Sequence, residues 1–219
     1  MDRGKDSILE QIPAVTRERL LQLMRILEGA GSEHLSSARI EELTGWSSNT
    51  VRRDISYLES FAGGPPDERR LGSVNGYAPA CLVPLIRRAL SLDKRRRYCV
   101  VGLGRLGSAY LNSGGPAGSS PEFELTAGFD ISVNRVEILK SPAPLYPAYK
   151  LGEVIARFGI EIALLCVPAE AAQAAAEKLA AAGIRGILNF APVALMLPPQ
   201  VAVRNVYLEE ELRALAIRM

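Results

Sequence analysis

Along the first third of the chain, apolar side chains recur every three or four positions. In VTRERLLQLMRILEGAG, Leu20, Met24 and Leu27, joined by Leu23, share one helix face, and Gly29 and Gly31 supply the stop. A second helix is predicted over ARIEELTG, capped by Ser36 or Ser37 and closed by Gly45. A third follows in WSSNTVRRDISYLES. Ser47 or Ser48 is its N-cap, and Val51, Ile55 and Leu58 form an i, i+4, i+7 stripe toward a core. The stretch 61–80 is rich in Gly and Pro and reads as loop plus a short hairpin, with an Asn-Gly turn at Asn75 and Gly76. PLIRRALSLDKRRR, 84–97, reads as a connecting helix. From Tyr98 onward the period changes. Apolar strand-like runs at 98–101, 124–129, 160–167 and 184–190 alternate with helical ones, the mark of a parallel α/β sheet.

The two short helices split by a Gly-containing turn make a helix-turn-helix pattern. Its second helix would present an N-terminal polar face to a major groove. Ser47, Ser48, Asn49, Thr50, Arg52 and Arg53 are the candidate DNA contacts, with arginine suited to phosphate or guanine and asparagine to adenine. The hairpin would be a wing, and Arg69 and Arg70 would lie beside the adjacent backbone or minor groove. The same arginines also suit a solvated helix face. Net charge is only +2, so any nucleic-acid footprint is local. The basic run at the end of 84–97 reads as a helix terminus favoured by the dipole or as an addition to that footprint.

At 219 residues with 48% hydrophobic side chains, the chain suffices for one large or two small folded domains. No apolar run approaches the roughly 20 residues that cross a bilayer. The first residues, MDRGKDSILEQIP, lack the long apolar segment of a signal peptide, so a cytoplasmic location is expected. Cys81, Cys99 and Cys166 are widely spaced, which argues against disulfides and a zinc site; no metal site is expected.

The chemistry concentrates in YCVVGLGRLGSAYL. A short strand runs into Gly102, Leu103, Gly104, Arg105, Leu106 and Gly107, and a helix begins. Strand, GxGxxG, helix is the setting of a dinucleotide cradle. Gly102 permits the tight turn, Gly104 lets backbone approach a pyrophosphate, and Gly107 lets helix and strand pack closely. An acid should end the next strand, and Asp130 does. It would accept the adenosine ribose hydroxyls and repel a 2′-phosphate, favouring NAD over NADP. Later strand ends place Val167, Pro168, Phe190 and Ala191 at the same carboxyl edge, toward the nicotinamide. These positions lack the proton donor or acceptor that a dehydrogenase needs. The one histidine, His34, lies far upstream.

Taken together, IPAVTRERL, TVRRDISYLES, LSLDKRRRYCVVGLGRLGSAYL, AGFD, ALLCVPAEAAQAAAEKLAAAGIRGILNFAPV and VRNVYLEEELRALAIR resemble the redox-sensing transcriptional repressor family Rex. The resemblance implies a homodimer on palindromic double-stranded DNA, with an N-terminal winged helix, a Rossmann NAD(H) domain and a swapped C-terminal helix. NADH would favour release from DNA, and Asn189, with Phe190, Ala191 and Pro192, would match the nicotinamide end of the site. Departures fall on the wing, RRLGSVNGY after a GGPPDE insert, on Ser113 where the family often has Tyr, on Tyr207 where it carries an Asp implied to pair with an Arg at the position of Arg25, and on the end at Met219.

The expected fold is thus α/β. A winged helix-turn-helix domain at 1–80 joins through a linker helix at 81–97 to a Rossmann domain at 98–205, followed by a dimerisation helix at 206–219. The expected function is an NADH-sensing repressor and not an enzyme. The alternatives are an NAD-dependent oxidoreductase and a DNA-binding protein whose Rossmann domain no longer senses redox state.

Overall fold

The computed structural model describes residues 11–59, 71, 76–112 and 122–219. It divides into two compact units, Met1–Lys94 and Arg95–Met219.

The first unit is helical. Helices α1 (Ala14–Gly29), α2 (Ser37–Thr44), α3 (Ser48–Glu59) and α4 (Pro79–Ala89) close around one core. The predicted stripes point inward: Leu20, Leu23, Met24 and Leu27 from α1, and Val51, Ile55 and Leu58 from α3, meet Ile40, Leu82 and Ile86. Ser36 is the cap of α2, its Oγ accepting from the Arg39 N–H at 3.1 Å, and Gly45 ends the helix at φ +74°. Gly76 stands next to a short backbone pairing. Leu35 and Tyr77 exchange backbone hydrogen bonds of 3.1 and 2.9 Å, forming an isolated antiparallel bridge. A Cβ on Gly76 would lie 2.7 Å from the Leu35 carbonyl oxygen, so this pairing needs a glycine. Asn75 and the rest of the expected hairpin, Arg69 and Arg70 included, lie outside the described residues.

The segment read as a helix over 84–97 is organised differently. Its helix is α4, which starts at Pro79, where the missing N–H costs nothing, runs through Pro84 and ends at Ala89. Burial of Leu82 and Ile86 against the α1 and α3 side chains holds α4 within the first unit. The basic run then leads into a strand.

The second unit is a six-stranded sheet made from β1 (Arg96–Val101), β2 (Phe123–Asp130), β3 (Leu145–Pro147), β4 (Ile162–Leu165), β5 (Gly186–Asn189) and β6 (Ala202–Asn205). The order is β3-β2-β1-β4-β5-β6, every pairing is parallel, and this is the doubly wound 3-2-1-4-5-6 arrangement. Side chains alternate across β1. Cys99 and Val101 join Phe129 and Leu165 under the helices α7 (Leu151–Phe158) and α8 (Ala169–Ala181), which supply Val154, Ile155, Ala172, Ala176 and Leu179. Tyr98 and Val100 face the other way, toward Leu103 in the loop before α5 (Arg105–Asn112) and Leu111 near the end of that helix. A short α6 (Val133–Ile138) follows β2, and α9 (Leu208–Ala216) follows β6. Burying both sheet faces explains why the strands read as continuous apolar runs.

Arg95, Arg96 and Arg97 are used inside this unit. Arg96 pairs with Glu161 at 2.7 Å, Arg95 and Arg97 flank Glu124 at 3.7 and 3.8 Å, and Arg97 also donates to the Phe158 carbonyl at 2.7 Å. The three arginines thus have acidic partners around the sheet's N-terminal end.

Candidate functional site

At the carboxyl edge of β1 the chain turns through Gly102 at φ +91°, where the Gly102 N–H donates to the Phe129 carbonyl at 2.8 Å. A Cβ there would meet the Cys166 carbonyl oxygen at 2.6 Å. At Gly107 it would be driven to within 1.9 Å of the Gly102 carbonyl oxygen, so the helix can approach the loop only without a side chain. Gly104 is the opposite case: nothing lies within 4 Å of its missing Cβ. Two glycines are thus required by packing and the middle one opens onto free space. The Gly104 carbonyl accepts from the N–H of Ser108 at 2.9 Å and from its hydroxyl at 2.7 Å, carrying the loop directly into α5. First-turn N–H groups of a helix beside an exposed glycine backbone fit a pyrophosphate. Leu103 is buried, whereas Arg105 and Leu106 are exposed.

Asp130 ends β2 beneath this loop and is only 4% exposed. Its Oδ2 accepts from the Leu103 N–H at 2.7 Å and from Arg135 Nη1 at 2.8 Å; its Oδ1 accepts from the Ser132 N–H at 2.8 Å. Burial is the largest single influence and pushes its pKa up. The bonds from Ser132, Leu103 and Arg135, with the charge of Arg135, outweigh it and hold the carboxyl below its ordinary value. The acid is therefore an anion that locks the glycine loop as well as a candidate ribose ligand. Sequence reading assigned only the second role and missed Arg135, which sits on the following turn.

The other strand ends gather at the same edge. The Cys166 N–H donates to the Val101 carbonyl at 2.8 Å, and the Phe190 N–H to that of Leu165 at 3.0 Å. Val167 is half-buried and Pro168 exposed as the residue before α8. Asn189 is fully buried with its amide committed internally: Nδ2 donates to the Val193 carbonyl at 2.8 Å and to Asn205 Oδ1 at 3.0 Å, and Oδ1 accepts from the Ala191 N–H at 3.0 Å. It shapes the turn that presents Phe190 and Ala191. Tyr207 reaches the same turn, its hydroxyl donating to the Val193 carbonyl at 2.7 Å. Tyr110 on α5 packs its ring against Phe190 with centroids 5.1 Å apart. Burial, and secondarily Cys166, pushes its phenol pKa up. Burial also pushes the Cys166 thiol up to about 12. Neither ring nor thiol was singled out from sequence as part of this edge, because helical period alone does not say which strand end a residue on α5 will meet. No group of residues that could hold a metal ion occurs among the described residues.

In the first unit, α3 offers Asn49, Arg52 and Arg53 as exposed positions. The serines do structural work. Ser47 Oγ accepts from the Thr50 N–H at 3.2 Å and pairs with its hydroxyl at 2.9 Å, which settles the cap. Ser48 donates from its N–H and hydroxyl to Glu41 at 3.0 and 2.6 Å, tying the start of α3 to α2. That hydroxyl bond, then the backbone one, holds the Glu41 carboxyl below its ordinary value. Arg52 Nη2 lies 3.4 Å from Ser37 Oγ. Beneath the exposed face, buried Asp54 receives two guanidinium nitrogens of Arg19 and the Thr16 hydroxyl.

Comparisons with known proteins agree with both halves. Residues 11–56 match a family model described as "Putative DNA-binding protein N-terminus", and residues 93–193 match one described as "CoA binding domain". A redox-sensing transcriptional repressor Rex from Thermus thermophilus is 39% identical over 90% of this chain and 88% of its own length. Another, from Listeria welshimeri, is 31% identical over 94% of this chain and 92% of its own. The solved structure of RSP, a Rex-family repressor, superposes with a TM-score of 0.78 at 29% identity over 94% of each chain. RSP in complex with beta-NADH gives 0.79 at 28%, and RSP with beta-NAD+ and operator DNA gives 0.78 at 29%. With the glycine cradle, the helix-turn-helix and relatives of this identity across nine-tenths of its length, the chain belongs to the Rex family of redox-sensing transcriptional repressors.

Proposed function

We propose that this protein is a repressor that binds operator DNA as a homodimer and reads the NADH/NAD+ ratio, with NADH favouring release. The carrying observation is the cradle. Gly102 and Gly107 are forced by packing, Gly104 opens onto free space, and Asp130 fixes the loop through the Leu103 N–H. Gly102, Leu103, Gly104, Arg105, Leu106 and Gly107 would hold the pyrophosphate, and Asp130 the adenosine ribose. Val167, Pro168, Phe190 and Ala191, with Asn189 as their internal brace, would form the nicotinamide end. The solved relatives carrying NADH, and NAD+ with operator DNA, support this assignment of ligand and partner.

Binding suffices for this role. Bound dinucleotide supplies a free-energy difference between DNA-competent and DNA-incompetent dimers only through unequal affinity for the two. A coupling of about 1–3 kcal/mol changes operator affinity roughly 5- to 150-fold. The phenol of Tyr110 and the thiol of Cys166, both pushed up in pKa, would stay protonated and make poor bases at neutral pH. The reading is therefore of a sensor and not of an oxidoreductase.

Dimerisation would use α9. Leu208, Leu212 and Leu215 follow one another at i, i+4, i+7 and are each more than half exposed, an apolar stripe that a second copy would cover. Asn49, Thr50, Arg52 and Arg53 would face the major groove, with Ser47 and Ser48 positioning the helix, and Arg69 and Arg70 would belong to the wing.

The deciding experiment is a mobility shift on a palindromic duplex with NAD+, NADH or neither. NADH is expected to weaken binding at least fivefold. Equal affinity in all three, with nucleotide binding intact, would leave a DNA-binding protein without the switch. Steady consumption of NADH with any substrate would favour the oxidoreductase.

A further inference from the structure

The start of α3 is closed by a carboxylate from the helix before it. Ser48 opens α3, and both its N–H, at 3.0 Å, and its hydroxyl, at 2.6 Å, go to Oε2 of Glu41 on α2. Two further donors of that first turn are also spent: the Thr50 N–H on Ser47 Oγ and the Val51 N–H on the Ser47 carbonyl. An open helix N-terminus attracts phosphate. Here a negative charge already covers it, on an exposed side chain. Glu42, the next residue, is offset by Arg39 at 2.7 Å. The bonds to Glu41 come from Ser48, which has no charge to offset.

This geometry leaves one defined acceptor at the tip of the helix. Oε2 is held by two bonds from a single residue, while Oε1 has no hydrogen-bond partner among the described residues. The hydroxyl bond, then the backbone one, holds the carboxyl below its ordinary value, so at neutral pH it is an anion that accepts and cannot donate. Base edges in the major groove divide on that property. Cytosine N4 and adenine N6 donate, whereas guanine N7 and O6 and thymine O4 accept. A fixed anionic acceptor is matched by an amine and repelled by an acceptor. Cytosine offers its amine alone, but adenine sets its N7 acceptor beside N6, so the carboxylate favours cytosine.

We infer that Glu41, clamped by Ser48, is a specificity-determining residue of DNA recognition: its Oε1 accepts from a cytosine amine in the major groove and rejects sites that place an acceptor there. This rests on the reading of α3 as the helix that enters the groove. Repulsion of the wrong base contributes as much to the choice as attraction of the right one.

The experiment is selection from a pool of duplexes with randomised half-sites, using the full-length protein as wild type, Glu41→Gln, Glu41→Ala and Ser48→Ala, followed by mobility shifts on the enriched duplexes. One position of the wild-type half-site should be cytosine, favoured over the other bases by about five- to hundredfold. Glu41→Gln keeps an acceptor for both Ser48 bonds, so the helix start stays capped. Its amide also donates, and that position should move to adenine. Glu41→Ala should leave the position without preference while the others keep their bases. Ser48→Ala removes one bond of the clamp and should weaken the cytosine preference without moving it. A residue that merely caps the helix would lower affinity for all duplexes alike and leave the selected sequence unchanged. Such a uniform fall, or identical half-sites selected by wild type and Glu41→Gln, overturns the inference and spares α3 as the reading helix. Failure of wild type to enrich any sequence overturns both.

Discussion

Arg19 on α1 grips Asp54 on α3 with two nitrogens, the Nη2 contact measuring 2.7 Å, across 35 residues of sequence. Asp54 is 2% exposed, on the inner side of the helix whose outer side carries Asn49, Arg52 and Arg53. The pair orients the candidate reading head from beneath. Removing one member strands a charge: Asp54→Asn or Arg19→Ala should cost about 3 kcal/mol, the low end for buried pairs because Arg19 is partly exposed. In a unit of this size that is a fall of about 10–20 °C in the midpoint of its thermal transition. The double replacement Arg19→Met with Asp54→Leu should recover most of the loss, because no charge is left buried. Equal instability of single and double variants would mean that shape, not charge, holds the contact.

The three loop glycines should separate folding from binding. Gly107→Ala places a methyl about where the Gly102 carbonyl oxygen sits, so the loop and α5 must move apart. Thermal midpoint and nucleotide affinity should fall together. Gly104→Val has room. It should keep its stability within about 1 kcal/mol, retain operator binding, and lose NADH affinity. A Gly104 variant with wild-type NADH affinity would remove the loop as the pyrophosphate cradle.

Much of this was legible because it is local. A GxGxxG after a strand, an acid at the next strand end, a helical stripe of leucines and a capping serine each declare themselves within a dozen residues. The pieces that were not legible fail for nameable reasons. Arg19 and Asp54 look like ordinary surface charges until two helices bring them together. β3 is three residues, preceded by Pro142 and Pro144 and ending in Pro147, and proline suits only an edge. β6 is the opposite edge, largely exposed, without an apolar run to betray it. Arg135 was close in sequence yet missed, because a motif names the acid and not the residue that occupies it.

The recognition face should follow the logic of phosphate and base contacts. Arg53→Ala should weaken binding to all duplexes alike and reduce the slope of log affinity against log salt by about one. Asn49→Ala should instead cost about 1–3 kcal/mol on the preferred operator and little on unrelated DNA. Both variants should bind NADH as wild type does, measured by fluorescence. Loss of NADH binding in either would contradict separate sites.

The lowered pKa of Asp130 carries a sign that can be tested. A carboxylate held below its ordinary value stabilises the fold fully at pH above the unfolded value, about 3.9. That contribution disappears as pH falls through the still lower folded value. Wild type should therefore lose stability steeply below about pH 4. Asp130→Asn should start lower at neutral pH and show a shallower acid limb over the same range. Parallel acid limbs would place the responsible carboxylates elsewhere.

Tyr207 ties the tail to the carboxyl edge of the sheet through one short bond. Its hydroxyl donates to the Val193 carbonyl, which also receives Asn189 Nδ2. Tyr207→Phe keeps the ring and removes that donor together with the acceptor for Asn189 Nδ2 at 3.4 Å, so stability should fall by about 1 kcal/mol. The consequence for function is larger if the turn carrying Phe190 and Ala191 must hold its shape for the cofactor to matter at α9, whose nearest end, Leu208, is fifteen residues beyond Val193. The Tyr207→Phe protein should bind NADH nearly as wild type but release operator DNA less completely when NADH is added. That divides affinity from response. The check is a pair of curves on one protein: NADH fluorescence titration, and operator mobility shift across the same NADH range. A variant that loses affinity and response in proportion would make Tyr207 a simple prop of the pocket. One that loses response alone would make it part of the link between cofactor and dimer.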